Sequence, residues 1–407
     1  MNEGKNRTKA IIVGVFGAAI LGIVGGRAAY EALKKGDPAP ITTATPTITA
    51  SEGPTEITML YGSDKKEWIE SAAAEFRRDH PEIKLTLLLR GSMEGAQAIL
   101  DRREKPTVFS PADSLALNAV AQEWRNKGRE PLVAESGEEV PTSLVMTPIV
   151  FVAWEERARV LMRENNGEIS WKAIHKAATA QGGWANVGGK AEWGFVKLGH
   201  TDPTRSNSGL QAVMLMTLEQ TGKPTLETSD TVDPKVQTFV RQIEKAVPSF
   251  EASTGTFMTE MVRFGPSKYD IAVVYENLAI SQIDTAQARW GALRVYYPKT
   301  TMWSDHPAAV LTAEWVTPAQ RAAGHVWLAH LRSKPMQERA LSFGFRPGDT
   351  SVPVRTNDAQ NPFTRFARYG VRVDVPHAAR TPEPTVARNV TTMWTRTSAP
   401  RGSEAVR

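Results

Sequence analysis

Apolar positions follow two alternating spacings along the first part of the chain. The run ITMLYGS, from Ile57 to Ser63, is almost continuously apolar, as in a buried strand. The next segment, DKKEWIESAAAEFRRDH, repeats its apolar residues at helical spacing. The same succession returns in KLTLLLRGS with MEGAQAILDRR, and in TVFSPADS with LALNAVAQEWRNKG. Three strands that each lead into a helix predict βαβ units and a parallel sheet.

A second group of elements follows. The long apolar run LVMTPIVFVAW is rich in β-formers, and YDIAVVYEN and RWGALRVYYP predict two further strands. Helices are predicted after Ser170, near Ser208, and in TPAQRAAGHVWLAHLR, where Thr317 and Pro318 form a typical helix start. No repeat of fixed period is visible. The pattern as a whole predicts an α/β protein.

Three of the predicted strand-to-helix turns carry small polar residues. They are Gly62-Ser63, Gly91-Ser92 and the group Ser206-Asn207-Ser208. Ligands of open α/β sheets bind at the carboxyl ends of the strands, where helix N-termini offer free N–H groups. Each serine alone is explained equally well as a helix N-cap. Their recurrence on three turns favours a ligand cleft.

The N-terminal segment from Ala10 to Gly26 is apolar and uncharged, and Lys5, Arg7 and Lys9 precede it. A basic flank before an apolar run directs the following chain out of the cytoplasm. The segment is either a cleaved signal or an uncleaved anchor. Small residues recur in it every fourth position, a spacing that allows two such helices to pair. The stretch 36–56, rich in Thr and Pro, predicts an extended spacer.

Composition excludes several classes of protein. The 407 residues include 41% hydrophobic and 23% charged residues, as in ordinary globular proteins, and no cysteine, so disulfides and thiolate sites are excluded. Residues 361–407 hold eight arginines against three acids, which accounts for the whole net charge of +5. This tail is either solvated or in contact with an acidic partner, and its Pro, Thr and Arg content predicts disorder after Pro376. The neutral body argues against nucleic-acid binding.

Seven segments follow one another along the chain in this order: YGSDKK, LLRGSMEGAQAIL, VFSPADSLAL, LVMTPIVFVAW, TDPTRSNSGLQAV, YDIAVVYEN and ALSFGFRPG. This ordered set resembles the bacterial extracytoplasmic solute-binding proteins of type II, the substrate-binding proteins of ABC transporters. Within them it is most similar to the branch found beside von Willebrand A-type domains. The likeness covers about Ile57 to Pro353. It implies two α/β lobes that are joined by two crossing strands and hold the ligand between them. The family's lipoprotein cysteine is absent, and the apolar N-terminal segment stands in its place.

This resemblance divides the chain into six parts. They are an anchor or signal (1–35), a linker (36–56), the first part of lobe one (57–140), lobe two (141–294), the return to lobe one (295–353), and a C-terminal arm with the basic tail (354–407).

The resemblance also implies the ligand-binding residues. Those expected on the first lobe are Gly62, Ser63, Ser92 and Ser114, and those expected on the second are Ser206, Asn207, Ser208, Tyr275 and Glu276. Glu276 is an acid where an anion site would not place one, which argues against an anionic ligand. Neither a cofactor nor a metal is expected, because the seven histidines are scattered and form no ligand motif.

The expected function is therefore capture of a small polar solute, an anion among the options, by a membrane-tethered protein that serves an ABC permease or a sensor complex. The body is expected outside the cytoplasm, as a single-pass membrane protein or, after cleavage, a secreted or periplasmic one. An alternative keeps the fold but makes it an interaction or sensor module at the cell surface. A remoter alternative is a penicillin-binding type of serine enzyme, because Ser63 and Lys66 match the S-x-x-K motif. No catalytic residue is otherwise expected.

Overall fold

The structure, a computed structural model, describes residues 53–163, 165–375 and 377–398. Its first sheet has five strands in the order β2-β1-β3-β11-β4. These are β1 (Thr55–Tyr61), β2 (Ile83–Leu89), β3 (Val108–Ser110), β4 (Thr142–Ser143) and β11 (Pro307–Val310). The strands β1, β2 and β3 are parallel, whereas β11 runs antiparallel to β3 and β4.

Each parallel strand of the first sheet leads into a helix, which confirms the predicted βαβ units. The helices are α1 (Lys66–Asp79), α2 (Ser92–Leu100) and α3 (Ser114–Asn126). α1 buries Trp68, Ala72 and Phe76. These residues are four positions apart, so they lie on one face of the helix, against the sheet. Two later helices, α10 (Pro318–Arg332) and α11 (Lys334–Ser342), contribute to the same core, where the Trp327 indole N–H lies 3.0 Å from the Met59 sulfur.

The second sheet is built around β5 (Val145–Trp154), the long apolar run of the sequence. It also contains β6 (Leu198–Gly199), β7 (Ile271–Tyr275), β8 (Leu293–Tyr296), β10 (Trp303–Ser304) and β12 (Arg346–Pro347). Alternate residues of β5 enter two different cores: Ile149 and Phe151 enter one, Val150 and Val152 the other. Burial on both faces explains why the strand is apolar throughout rather than at every second position.

Six helices cover the second sheet. They are α4 (Glu155–Arg163), α5 (Trp171–Thr179), α6 (Asn207–Thr221), α7 (Pro234–Glu244), α8 (Thr254–Phe264) and α9 (Glu276–Trp290). α6 is buried almost all round, so its sequence shows little amphipathic contrast. We call the first sheet with its helices the first lobe, and the second sheet with its helices the second lobe.

Three segments carry the chain between the lobes, and the expected two-lobed arrangement is confirmed. The first runs from β4 into β5, the second from β10 into β11, and the third from α11 into β12. The return occurs between Ser304 and Pro307 rather than at 295, because Tyr296 still pairs with Phe151 in the second sheet. A third strand, β12, pairs with Val145 and Met146 at the start of β5.

The C-terminal region is folded as far as residue 398, so the expectation of disorder after Pro376 is wrong. It contains α12 (Pro362–Arg365), a short parallel pair of β13 (His377–Ala378) with β9 (Thr300–Thr301), and α13 (Pro384–Thr397). Val390 and Trp394 of α13 are buried in the second lobe, and the Trp394 ring lies 5.2 Å from that of Phe250. This burial of apolar side chains offsets the entropy of ordering the segment.

Two arginines of the basic tail form ion pairs. Arg365 lies 2.6 Å from Asp284 on α9. Arg388 of α13 lies 2.8 Å from Glu123 on α3, so the C-terminal helix contacts both lobes.

Within the described part of the chain, every helix is too short or too polar to cross a membrane. The predicted anchor from Ala10 to Gly26, nearly all of the spacer, and residues 399–407 lie outside the described residues.

Candidate functional site

The polar residues predicted on the first lobe follow its strands directly. Gly62 and Ser63 come after β1, and Ser63 begins a short 3-10 turn. Ser92 is the first residue of α2 and is buried, and its hydroxyl accepts a hydrogen bond from the Ala112 amide at 2.9 Å. Because these turns lie at the carboxyl ends of parallel strands, they share one edge of the sheet.

On the second lobe, three buried hydroxyls lie at the starts of two helices. Ser208 of α6 is 2.9 Å from the Thr201 hydroxyl and 2.6 Å from that of Thr254, the first residue of α8. The Ser206 hydroxyl is 3.2 Å from the same Thr254 oxygen. Sequence reasoning found the two serines but not Thr254. The N-cap position of Ser253 was the signal that could have indicated it.

A buried acid of the first lobe joins the two lobes. Asp113 is the N-cap of α3, and its second carboxylate oxygen accepts from Asn207 at 2.7 Å and from Gln211 at 3.0 Å, both on α6. The Asn207 amide also donates to the Tyr275 hydroxyl at 3.0 Å. Burial raises the pKa of Asp113 to about 6, although hydrogen bonds from Ala116 and Asn207 oppose the shift.

The lobes touch at several other points of the same edge. The Gly255 amide of α8 lies 3.4 Å from the Ser63 hydroxyl, and the Asn277 amide of α9 donates to the Asp64 carbonyl at 2.9 Å. A Cβ atom on Gly91 would lie 2.7 Å from the carbonyl oxygen of Arg205. Any side chain at Gly91 would therefore push the lobes apart, and glycine permits the close approach.

Three buried ionisable side chains lie beside this contact. His306 Nδ1 is 3.0 Å from an Asp64 carboxylate oxygen and 3.3 Å from the Lys65 ammonium, which donates to the Pro111 carbonyl at 3.1 Å. Burial lowers the pKa of His306, and the Lys65 charge adds to the shift. Burial acts to raise the pKa of Asp64, but Lys65 and His306 outweigh it and hold that pKa below its usual range. Asp64 is thus ionised and His306 neutral.

His306 has an unusual backbone conformation. Its φ angle is 39°, in the left-handed region, and its ring lies 5.9 Å from that of Tyr275 and 5.3 Å from that of Phe345. Such backbone strain in a fully buried residue is typical of functional positions.

We call these residues together the interlobe cluster. Its members are Asp64, Lys65, Ser110, Asp113, Asn207, Tyr275, Asn277 and His306. Asp64, Lys65 and Asn277 also line a cavity of about 340 Å³ between the lobes, together with Ser63, Trp68 and Phe345. This volume lies in the range of small-molecule sites, roughly 300–1,000 Å³.

Two of the predicted ligand residues have other partners. Glu276 is fully buried and receives hydrogen bonds from Arg346 at 2.8 and 2.9 Å and from the Tyr297 hydroxyl. Its charge is compensated there, so the argument from Glu276 against an anionic ligand fails. Ser114 binds Asp305 through both its amide, at 2.7 Å, and its hydroxyl. Both partners are distant in sequence, so no local pattern could reveal them.

The S-x-x-K alternative is not supported by the geometry. Lys66 is exposed on the first turn of α1, whereas its neighbour Lys65 is buried, and no hydrogen bond joins Ser63 to Lys66 among the described residues. Over the same residues, no group of three or more His, Asp or Glu side chains could hold a metal ion. The chemistry at the lobe interface is reversible hydrogen bonding by amides, hydroxyls and buried charges.

Two α/β lobes, linked by adjacent crossing strands and facing each other across buried polar side chains, define a two-lobed ligand-binding protein. The sequence model for bacterial extracellular solute-binding proteins matches residues 57–346. The chain belongs to this family, and membership implies an extracytoplasmic location. The similarity to the branch beside von Willebrand A-type domains stays a prediction.

Solved structures of low sequence identity share the fold. The sulfate-binding protein SubI of Mycobacterium tuberculosis H37Rv aligns with a TM-score of 0.52 and 14% identity, over 80% of this chain and 93% of its own. AfuA of Actinobacillus pleuropneumoniae, with fructose-6-phosphate bound, aligns with a TM-score of 0.54 and 14% identity, over 86% of this chain and 99% of its own. Iron-bound HitA of Pseudomonas aeruginosa aligns with a TM-score of 0.52 and 16% identity, over 83% of this chain and 99% of its own. A comparison with curated protein sequences gives no significant match.

Proposed function

We propose that this protein binds a small polar solute between its lobes and presents it, outside the cytoplasm, to an ABC permease or a sensor complex. The binding residues in this proposal are Gly62, Ser63 and Ser92 on the first lobe and Ser206, Asn207, Ser208 and Tyr275 on the second. To these we add the interlobe cluster and Thr254. The N-terminal segment would hold the body near the membrane.

One observation carries this proposal: buried hydroxyl, amide and charged groups of both lobes meet at the carboxyl ends of the strands. Asn207 and Gln211 of the second lobe bind Asp113 of the first, and Asn277 binds Asp64. Burying so many polar groups is unfavourable unless they are hydrogen-bonded. A protein that needed only a stable interface would gain more from apolar contacts there.

Lobe closure is the property to test, because a solute held between two lobes shifts them towards the closed arrangement. The chain has no cysteine, so two introduced cysteines are its sole thiol labelling sites. Glu67 and Thr259 line the 340 Å³ cavity from opposite lobes, and both are exposed. Spin labels on Glu67→Cys and Thr259→Cys of the full-length protein report the interlobe distance in pulsed electron resonance.

The expected result is a distance distribution that narrows and shortens with at least one solute in a panel of sugars, amino acids, oxyanions and divalent metals. A control pair within the first lobe, Glu67→Cys with Lys105→Cys, should show no change, since Lys105 is also exposed. An interlobe distance that ignores every solute would contradict the proposal. It would favour the interaction module that keeps the same fold.

A further inference from the structure

Four buried polar atoms of the interlobe cluster lack a hydrogen-bond partner among the described residues. They are Ser110 Oγ, Asn207 Oδ1, Asn277 Oδ1 and His306 Nε2. Each residue is at most 2% exposed. Buried polar atoms are nearly always hydrogen-bonded, so four exceptions within the interlobe cluster indicate where a ligand makes its contacts.

The partners of the two asparagines fix which of their side-chain atoms is free. Asn207 Nδ2 donates to Asp113, and Asn277 Nδ2 donates to the Asp64 carbonyl. The remaining atom of each amide is therefore its oxygen, which only accepts hydrogen bonds.

His306 can be assigned in the same way. Its Nδ1 forms a hydrogen bond with the Lys65 ammonium at 3.3 Å, and an ammonium can only donate. A neutral imidazole that accepts at Nδ1 carries its own proton on Nε2. The unpartnered Nε2 is therefore a donor.

Two of the four unpartnered atoms are thus acceptors, His306 Nε2 is a donor, and the fourth is a hydroxyl that adapts to either role. An oxyanion without protons offers only acceptors and would meet these lone pairs unfavourably. The adjoining helices α2 and α6 offer donors as well, namely the main-chain N–H groups of their first turns. The N-cap residues, Gly91 and Ser206, make no side-chain hydrogen bond to these N–H groups. A ligand suited to both sets must donate and accept hydrogen bonds.

We propose that the solute is polyhydroxylated, a sugar or cyclitol whose hydroxyls donate to Asn207 and Asn277 and accept from His306 and from the first turns of α2 and α6. This inference rests on the proposed function and names the chemistry of its ligand. A hydroxyl is the neutral group that serves both roles in one atom, so it requires no new buried charge.

Three classes of probe separate this inference from its alternatives. Thermal unfolding of the full-length protein at pH 7.5 is measured with D-glucose, D-fructose and myo-inositol, with sulfate and molybdate, and with putrescine and ethanolamine. A saturable rise of the melting temperature is expected with one or more polyols and not with the two oxyanions.

Binding of sulfate or molybdate without any polyol would overturn the inference and leave solute binding intact, and so would binding of the amines alone. If no probe binds, the inference fails. If the interlobe distance is also unresponsive to every solute, the proposed function fails with it.

A single variant tests the contact itself. Ser110→Ala removes an unpartnered hydroxyl with almost no change of shape, so the melting temperature without ligand should stay the same. The affinity for the polyol that binds should fall about tenfold, as for one lost hydrogen bond. Ser267→Ala is the matched control, since Ser267 is exposed and bonds only the Phe264 carbonyl. Unchanged polyol affinity in Ser110→Ala would place the ligand elsewhere.

Discussion

Two buried polar groups of this protein contrast sharply. The Arg346 cluster, formed by Glu276, Tyr297 and Arg346, matches its ionic and hydroxyl groups to one another and to main-chain carbonyls at positions 372 and 373. The interlobe cluster leaves four buried atoms unmatched among the described residues. Each includes a residue of a segment that joins the lobes: His306 lies between β10 and β11, and Arg346 lies on β12. A buried network whose polar atoms are all hydrogen-bonded within the protein stabilises the fold. A buried network with unpaired polar atoms is suited to binding a ligand.

The largest effect is expected from breaking the completed network. Arg346→Met leaves the buried Glu276 carboxylate without its cation and should lower the free energy of unfolding by about 3–5 kcal/mol. Urea unfolding followed by circular dichroism measures this loss. The control is Arg365→Met, whose partner Asp284 is also an acid but where both side chains are about half exposed. The free energy of unfolding of that variant should fall by less than about 1 kcal/mol. Equal losses in the two variants would contradict the stabilising role of the Arg346 cluster.

The second effect concerns Asp113 and pH. Its carboxyl titrates near 3.8 when unfolded and near 6 in the native protein, so the native state binds more protons between these values. Stability should therefore fall as pH rises from about 4 to about 6, by on the order of 2 kcal/mol from this group. Asp113→Asn keeps the N-cap and removes the titration. Its stability should vary less over this range than that of the natural protein, measured by urea unfolding at pH 4, 5, 6 and 7.

The charges of Asp305 and Lys65 also interact with the Asp113 carboxyl group, and both residues remain in the Asp113→Asn variant. Identical pH profiles of the two proteins would show that Asp113 is ionised normally in the native state.

Two fully buried serines provide the third and fourth tests. Ser208 has three hydroxyl neighbours, Thr201, Ser206 and Thr254, so Ser208→Ala should cost about 1–2 kcal/mol because it leaves them poorly satisfied. The loss is measured by urea unfolding without ligand.

Ser110 is as buried as Ser208, but its hydroxyl has no partner among the described residues. Ser110→Ala should change the free energy of unfolding by less than about 0.5 kcal/mol, or raise it slightly, since no hydrogen bond is lost. A loss as large as that of Ser208→Ala would mean that the Ser110 hydroxyl is satisfied in the free protein. The inferred ligand contact would then lose its basis.

Sequence patterns predicted the first lobe well because its strands and helices alternate cleanly and each turn carries its own signal. They failed at α13, where Pro, Thr and Arg obscured a helical spacing of Val386, Val390, Met393 and Trp394. In the candidate site, the residues next to the turns were accessible to sequence reasoning. The roles of Asp64, Lys65 and His306 were not, because their contacts join segments about 240 residues apart.

The pairing of Glu276 with Arg346 shows the same limit. Nothing near Glu276 in the sequence indicates that a cation from β12, 70 positions later, neutralises it. Contacts that decide whether a buried acid faces a ligand or the protein are set by the tertiary fold, and local periodicity carries no information about them.

The C-terminal helix also affects the order in which the protein can be completed during synthesis. Val390 and Trp394 belong to the core around Ile149 and Phe151, yet the ribosome adds them long after β5. The first lobe needs nothing from beyond Phe345 for its own core. The second core therefore stays open until nearly all of the described chain has been translated. A delay of this kind keeps a nascent polypeptide unfolded for longer, and translocation across a membrane as an extended chain requires that state.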